Sequence, residues 1–228
     1  SHTYAKTGTF TATLTVRDSE GYTSQDSLFV TVTANEPPVA LAGPDRSAKV
    51  AEPVAFDGSG SYDPDGGSVA CTWNFGDGSP AVSGATASHS YAAPGTYTVR
   101  LRVVDAVGSA AEDTAVVTVR LPPIHVGDIA MTSAWLSGSY VRATGSVLVV
   151  GEDGLPVAGA QVSASWSGAV SQAQTAVTDS AGRARFVSPS IKGGGTFRLT
   201  VTQAAKSGLE YDAAANVESS DAVTRTKK

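Results

Sequence analysis

Apolar and polar residues alternate along most of this chain with a period of two. From Thr9 to Val16 the order is Thr-Phe-Thr-Ala-Thr-Leu-Thr-Val, which puts Phe10, Ala12, Leu14 and Val16 on one side and threonines on the other. That is the pattern of a strand with one buried face. Leu28 to Val32 continues it, and Tyr97, Val99, Leu101 and Val103 repeat it further on, followed by Val117 and Val119. Val147 to Val150, then Val162, Ala164 and Trp166, then Thr196 to Val201 predict strands in the last third. Turn residues separate the runs: Asp18-Ser19-Glu20-Gly21, Asp63-Pro64-Asp65-Gly66, Gly76-Asp77-Gly78 and Pro94-Gly95. No uninterrupted stretch carries helical periodicity. Short strands at this spacing predict an all-β fold of antiparallel sandwiches.

A displacement of 87 residues maps the chain onto itself. Ser1-His2-Thr3-Tyr4-Ala5 falls on Ser88-His89-Ser90-Tyr91-Ala92, and Leu14, Val16 and Asp18 fall on Leu101, Val103 and Asp105. Val30-Thr31-Val32 falls on Val117-Thr118-Val119 with no gap. Repeats of this kind define domain units. The second copy has a front part from about Asn35 to Ala87, which has no counterpart before Ser1. Residues 1–34 therefore read as the back half of a domain, 35–121 as a complete one, and 122–228 as a third. Asn35-Glu36-Pro37-Pro38 and Leu121-Pro122-Pro123 flank the complete copy. Paired prolines make stiff joints, so the expected arrangement is a rod of tandem immunoglobulin-like sandwiches.

Composition narrows the function classes. The net charge of −5 disfavours nucleic acid, whose phosphates need a basic surface. No apolar run reaches the roughly 20 residues of a spanning helix. One cysteine and three histidines leave little for a thiolate metal site or proton-transfer centre. No Gly-x-Ser-x-Gly elbow and no His-Glu-x-x-His is present. The expectation is a non-enzymatic protein. Low Cys and Lys with abundant Thr, Ser, Gly, Ala and Val suit a secreted or cell-surface bacterial β-protein.

Trp73-Asn74-Phe75-Gly76-Asp77-Gly78 resembles the signature of the PKD (polycystic kidney disease) domain family. Asp57-Gly58-Ser59, Ser61 and Asp63-Pro64-Asp65-Gly66 precede it, and His89-Ser90-Tyr91, Pro94-Gly95-Thr96-Tyr97 and Val103-Val104-Asp105 follow it in family order. Asn74 stands where family members usually carry Asp. The resemblance covers 35–121 fully and 1–34 as a C-terminal half. It implies an immunoglobulin-like sandwich serving as spacer, adhesion or accessory module in extracellular proteins. Residues 124–228 are similar to bacterial Ig-like modules of the invasin or carboxypeptidase-regulatory type. Glu152-Asp153-Gly154-Leu155-Pro156-Val157-Ala158-Gly159-Ala160 and Thr178-Asp179-Ser180-Ala181-Gly182-Arg183-Ala184-Arg185-Phe186 carry that likeness.

Several residues have a chemical reading beside a structural one. Asp57, Ser59, Ser61, Asp63 and Asp65 offer oxygen ligands at alternate positions, as calcium prefers. The competing reading is a set of turns that favour Asx residues. His2 and His89 recur at one repeat position, which points to structure rather than catalysis. His125 lies near Asp128 at a domain joint, without an evident nucleophile. Cys71 shares a strand face with Trp73 and reads as a core thiol. Gly193-Gly194-Gly195 reads as a hairpin loop. Trp135, Tyr140 and Trp166 suit either a sugar-binding platform or, more simply, a sandwich core. Arg225, Lys227 and Lys228 read as a solvated tail.

The half domain carries the functional expectation. Three strands cannot close a sandwich, so Phe10, Leu14, Val16, Leu28, Val30 and Val32 would expose an apolar face at a cost on the order of 10 kcal/mol. An open edge also invites another strand. These six residues are the candidate assembly interface. Its partner would be another copy, in a homo-oligomer or filament, or another segment of a longer chain. The alternative function is an accessory region of a secreted protease or polysaccharide-degrading enzyme, with a polysaccharide or protein as the bound substrate.

Overall fold

The period-two segments are strands in the computed structural model, which describes residues 1–226. The N-terminal part contains β1 (Gly8–Arg17) and β2 (Thr23–Val32). β3 (Arg46–Lys49), β4 (Pro53–Asp57), β5 (Ala70–Asn74), β6 (Val82–Ser83), β7 (Thr86–Ser90), β8 (Gly95–Val104) and β9 (Ala110–Arg120) follow. The last third holds β10 (Pro123–Trp135), β11 (Tyr140–Gly151), β12 (Gln161–Gly168), β13 (Gln172–Val177) and β14 (Arg183–Val187). It ends with β15 (Ile191–Lys192), β16 (Gly195–Ala205), β17 (Glu210–Tyr211) and β18 (Ser220–Arg225). Two single turns of 3-10 helix, Ser137–Ser139 and Ala213–Ala215, are the helical elements among the described residues. The fold is all-β, built of tandem sandwiches.

The chain divides into two compact units. One comprises Ser1–Arg46, Pro53–His89 and Thr96–Val117; the other comprises Ser47–Glu52, Ser90–Gly95 and the chain from Thr118 on. In the first region β1 and β2 pair with each other alone, as a two-stranded antiparallel sheet. The complete repeat forms a five-stranded sheet in the order β3-β9-β8-β5-β6 and a two-stranded sheet β4-β7. Cys71 and Trp73 on β5 are buried while Ala70 and Asn74 are exposed, as alternation requires. Trp73 lies opposite Leu101 of β8, and Cys71 opposite Val103. Phe56 packs at 5.5 Å from the Trp73 ring and 5.4 Å from Phe75. Trp73 also donates its Nε1–H to the Gly84 carbonyl at 3.1 Å, so its one polar atom is satisfied inside the core. Gly58 permits this packing: a Cβ there would stand 2.7 Å from Leu101 and 3.0 Å from Trp73.

The last third forms its own sandwich. One sheet runs β14-β11-β10-β17 with β15 also on β11, and the other runs β13-β12-β16-β18. Val147 and Val149, Val162, Ala164 and Trp166, Ala184 and Phe186, and Phe197 and Leu199 fill a single core. Trp166 donates Nε1–H to Gln174 at 3.0 Å. Pro123, expected in a joint, is instead the first residue of β10, a position where a missing N–H costs no ladder bond. Arg225 is likewise the last residue of β18, paired with Gly195, rather than part of a tail. Lys227 and Lys228 lie outside the described residues.

Candidate functional site: an uncovered hairpin

The repeat seen in sequence is a repeat in structure. Moving β1 by 87 residues gives the limits of β8, Gly95–Val104. The turns recur as well. Asp18 Oδ1 accepts the amides of Glu20 and Tyr22 at 3.0 and 2.9 Å. Asp105 Oδ1 accepts those of Val107 and Ser109 at 3.0 and 2.8 Å. Gly21 and Gly108 close the two turns at φ of 97° and 99°, a conformation that favours glycine. Local sequence is enough to set this hairpin, because both copies make it.

Burial separates the two copies. Leu101 and Val103 are wholly buried, whereas their equivalents Leu14 and Val16 are 66% and 58% exposed. Leu28 is 59% exposed where Ala115 is 2% exposed. Phe10, Val30 and Val32 are half-buried. Phe10 lies opposite Val30, and Ala12 opposite Leu28, so all six candidate interface residues share the face that also carries Ala12. The opposite face is polar apart from Phe29, which is 79% exposed opposite Thr11; there Thr13 hydrogen bonds Ser27 at 2.9 Å, and Gln25 donates to Thr15 at 3.1 Å.

The N-terminal seven residues depart from expectation. The repeat predicts three strands within 1–34, and two form. Ser1–Thr3 correspond to Ser88–Ser90 of β7, which pairs with β4. Among the described residues nothing equivalent to β4 pairs with Ser1–Thr3, and a strand needs a partner for its backbone groups. The aromatic residues close in locally instead. His2 stands edge-on to Tyr4 at 4.7 Å, and Tyr4 stacks over Phe10 at 4.6 Å.

The second candidate set is the acidic one. Asp57 Oδ1 accepts the Ser59 amide at 2.9 Å, and hydrogen bonds from Ser59 hold the Asp57 carboxyl below its ordinary range. Ser61 Oγ accepts the Leu41 amide at 3.1 Å. Asp63 Oδ1 accepts the Asp65 amide at 2.9 Å, and Asp65 Oδ2 accepts the Glu36 amide at 2.7 Å. Each of these oxygens thus accepts a backbone amide, within a local turn for Asp57 and Asp63 and from a distant segment for Ser61 and Asp65. Among the described residues no group of three or more His, Cys, Asp or Glu side chains converges in a way that would hold a metal.

Sequence reasoning did not single out the cluster around Asp77. Ser79 donates its hydroxyl to Asp77 Oδ1 at 2.6 Å, and His89 Nε2 meets Asp77 Oδ2 at 2.7 Å. His89 lies flat on Phe75, with centroids 4.1 Å apart and planes 1° apart. Bonds from Ser79 first, and then from His89, lower the Asp77 carboxyl to about 2. Serine, histidine and aspartate meet here in the wrong order for nucleophilic catalysis. In a triad the histidine stands between the other two and takes the serine proton. Here the carboxylate is in the middle and receives both, so the cluster pins the loop after β5 to β7.

The remaining candidates are structural. Cys71 is buried, and burial pushes its thiol up, away from the reactive thiolate. Trp166 is a core residue and Trp135 packs against the same core, while Tyr140 is 43% exposed. The three therefore form no common platform. Gly193–Gly195 do not form the expected hairpin loop: Gly193, at a φ of 88°, lies where the chain crosses from β15, which pairs with β11, to β16, which pairs with β12 and β18 and begins at Gly195. His125 lies on β10, and Asp128 on the same strand pairs with Arg183 at 3.3 Å.

Comparison with known proteins locates these features. Human polycystin-1 is 40% identical over 113 residues, covering 48% of this chain and 2% of that protein. A microbial collagenase of Vibrio alginolyticus is 35% identical over 89 residues, covering 39% and 11% respectively. The chain thus spans a small fraction of either relative. Among solved structures, Sidekick-1 immunoglobulin domains 1–5 align with 94% of this chain and 46% of that one, at 14% identity and a TM-score of 0.33. The family model of the PKD domain matches residues 35–119, the segment whose Trp73–Gly78 loop, Asp77–His89 contact and β5–β8 pairing have just been described. Residues 35–119 are a PKD domain.

Proposed function

We propose that this chain is a non-enzymatic extracellular structural module of a cell-surface or filament-forming protein. In this reading it assembles through its β-sandwiches, and a neighbouring chain or segment completes the hairpin of β1 and β2. One observation carries the reading: Leu14, Val16 and Leu28 stand in solvent at repeat positions that are buried in the complete copy. Burying a side chain of this kind stabilises a structure by about 1.5–3 kcal/mol. A face that recovers several such increments on docking supports stable assembly. Light scattering and negative-stain electron microscopy of native material test it. Oligomers or filaments whose contact covers residues 1–34 are the expected result, and monodisperse monomers would refute it.

A second reading draws on the collagenase relative. An accessory region of a secreted protease or polysaccharide-degrading enzyme would also use a PKD domain as a spacer or substrate-binding module. Pull-down on insoluble collagen and cellulose separates the two: retention by either one, at a level that Leu14→Asp leaves unchanged, favours the accessory role.

A further inference from the structure

The charges of the last sandwich are sorted by face. Alternate residues of its two sheets fill one core, so the residues between them point outward. On the outer side of β13-β12-β16-β18 the outward residues are uncharged apart from Arg198. The outer side of the other sheet differs. Arg142 alternates with the buried Val141 and Ala143, Arg183 and Arg185 flank the buried Ala184, and Lys192 lies opposite Tyr140. The register sets these cations in one band: Lys192 is level with Tyr140, Arg142 stands two residues further along β11, Arg185 is level with Ser146, and Arg183 is level with Leu148. At the usual strand rise the band is about 27 Å long.

Asp128 is the one carboxylate in β10, β11, β14 and β15, and Arg183 meets it at 3.3 Å. Arg142, Arg185 and Lys192 are exposed and make no ion pair among the described residues. Thr132, Ala134, Thr144 and Ser146 lie among them, and the Tyr140 ring stands at one end, 43% exposed. A face that only needs to be solvated mixes both signs, because like charges gathered together repel. Here an acidic chain of net charge −5 gathers cations on one sheet and leaves three without a counter-charge.

We infer that the outer face of β14-β11-β10 binds an acidic polysaccharide, a polymer of carboxylate-bearing sugars, laid along the strands. Arg142 and Arg185 each receive a carboxylate through two parallel N–H donors, Lys192 receives one as a point charge, and a sugar ring lies on Tyr140. The short side chains among them leave room for the polymer against the sheet. Leu136 and Tyr140 are the exposed large apolar side chains at this face, a pair too small to anchor a module in a bilayer. Nucleic acid draws its affinity from many phosphate contacts over a basic surface, and three free cations on an acidic chain fall short of that. The inference names a ligand class for the accessory reading above and rests on the extracellular setting that both readings share.

Affinity electrophoresis of the full chain through gels containing polygalacturonate, run in EDTA and referred to gels without polymer, tests it. Retardation is expected, with none in dextran gels, and about 0.5 M salt should remove most of it. The triple variant Arg142→Gln, Arg185→Gln, Lys192→Gln should bind roughly tenfold more weakly. Arg198→Gln removes a cation from the opposite sheet and should leave binding within about twofold. Tyr140→Ala should weaken polygalacturonate binding about threefold and leave binding to polyacrylate, which has carboxylates but no sugar ring, unchanged. All these positions are exposed, so the variants should keep the native Tm. Absence of retardation would overturn the inference, as would a triple variant retarded like the native chain. Equal or tighter binding to duplex DNA or to phosphatidylglycerol vesicles would also overturn it, because the face would then serve another kind of anion. Retention on cellulose or collagen without retardation by polygalacturonate would sink this ligand class and leave the accessory reading standing. Retardation of material that is natively filamentous would keep the inference and remove the accessory reading.

Discussion

Leu14 and Leu101 occupy one repeat position in two environments, so substituting each by Ala measures what cover is worth. Leu101 is wholly buried between Trp73 and the Gly58 backbone. Truncation there removes the transfer term and leaves a cavity, for a loss of about 2–5 kcal/mol. Leu14 keeps only about a third of its side chain from water in the isolated chain. The same truncation there should cost about 0.5–1 kcal/mol, with little cavity term. Once a partner covers the face, the remaining two-thirds becomes buried and adds about 1–2 kcal/mol, so assembly should weaken roughly tenfold. Residue-resolved amide exchange at low concentration reads the first comparison, and sedimentation of the assembled material reads the second. A dilute, monomeric chain in which Leu14→Ala costs as much as Leu101→Ala would refute the reasoning, because the hairpin face would already be buried.

Other consequences follow from the same geometry. Gly76 has a φ of 78°, and a Cβ on it would stand 2.5 Å from the Thr98 carbonyl. Gly76→Ala should therefore lower the PKD-domain Tm by about 10 °C, for a loss near 2 kcal/mol. Gly78, at φ 86° with open space around its Cβ position, should lose about half as much when changed to Ala. Asp77 has its carboxyl lowered to about 2 from an ordinary 3.8, so the unfolded chain binds the extra proton first. Its stabilisation should be complete above about pH 4 and disappear as pH falls towards 2. After allowance for solvent screening it amounts to about 1–2 kcal/mol. Asp77→Asn should flatten that part of an acid-unfolding curve, and an unchanged slope would contradict the assignment. Calcium at millimolar levels should shift the Tm by less than about 1 °C relative to EDTA, because the Asp57, Asp63 and Asp65 oxygens already cap backbone amides. A larger rise in calorimetry would restore these residues as cation ligands.

Much of the fold was legible because period-two alternation is a local signal. Phe10 to Val16 and Tyr97 to Val103 read as strands from spacing alone, and their limits agree to the residue after displacement. Trp73 and Phe75 were legible as core for the same reason. What escaped was pairing across the sequence. Ser1–Thr3 have the residues of β7 but no β4 beside them, so composition suggested a strand that cannot form. The acidic set read as calcium ligands or, more simply, as turns, since both use side-chain oxygens; which backbone amides those oxygens accept, here those of Leu41, Ser59, Asp65 and Glu36, depends on contacts that spacing does not reveal. The Asp77–His89 contact joins residues twelve apart through a loop and a strand, and its one sequence trace is that both belong to the family motif. Pro123 and Arg225 were misplaced because strand ends depend on partners, here β17 and β16, that spacing does not reveal.

The proposed assembly requires that the hairpin face be covered in native material. Hydrogen–deuterium exchange on native material, read at Gly8–Arg17 and Thr23–Val32, tests this most directly. Protection comparable to that of Gly95–Val104 is expected, together with loss of that protection on dilution or after Leu14→Asp. Exchange in native material as fast as that of an exposed two-stranded hairpin would contradict it.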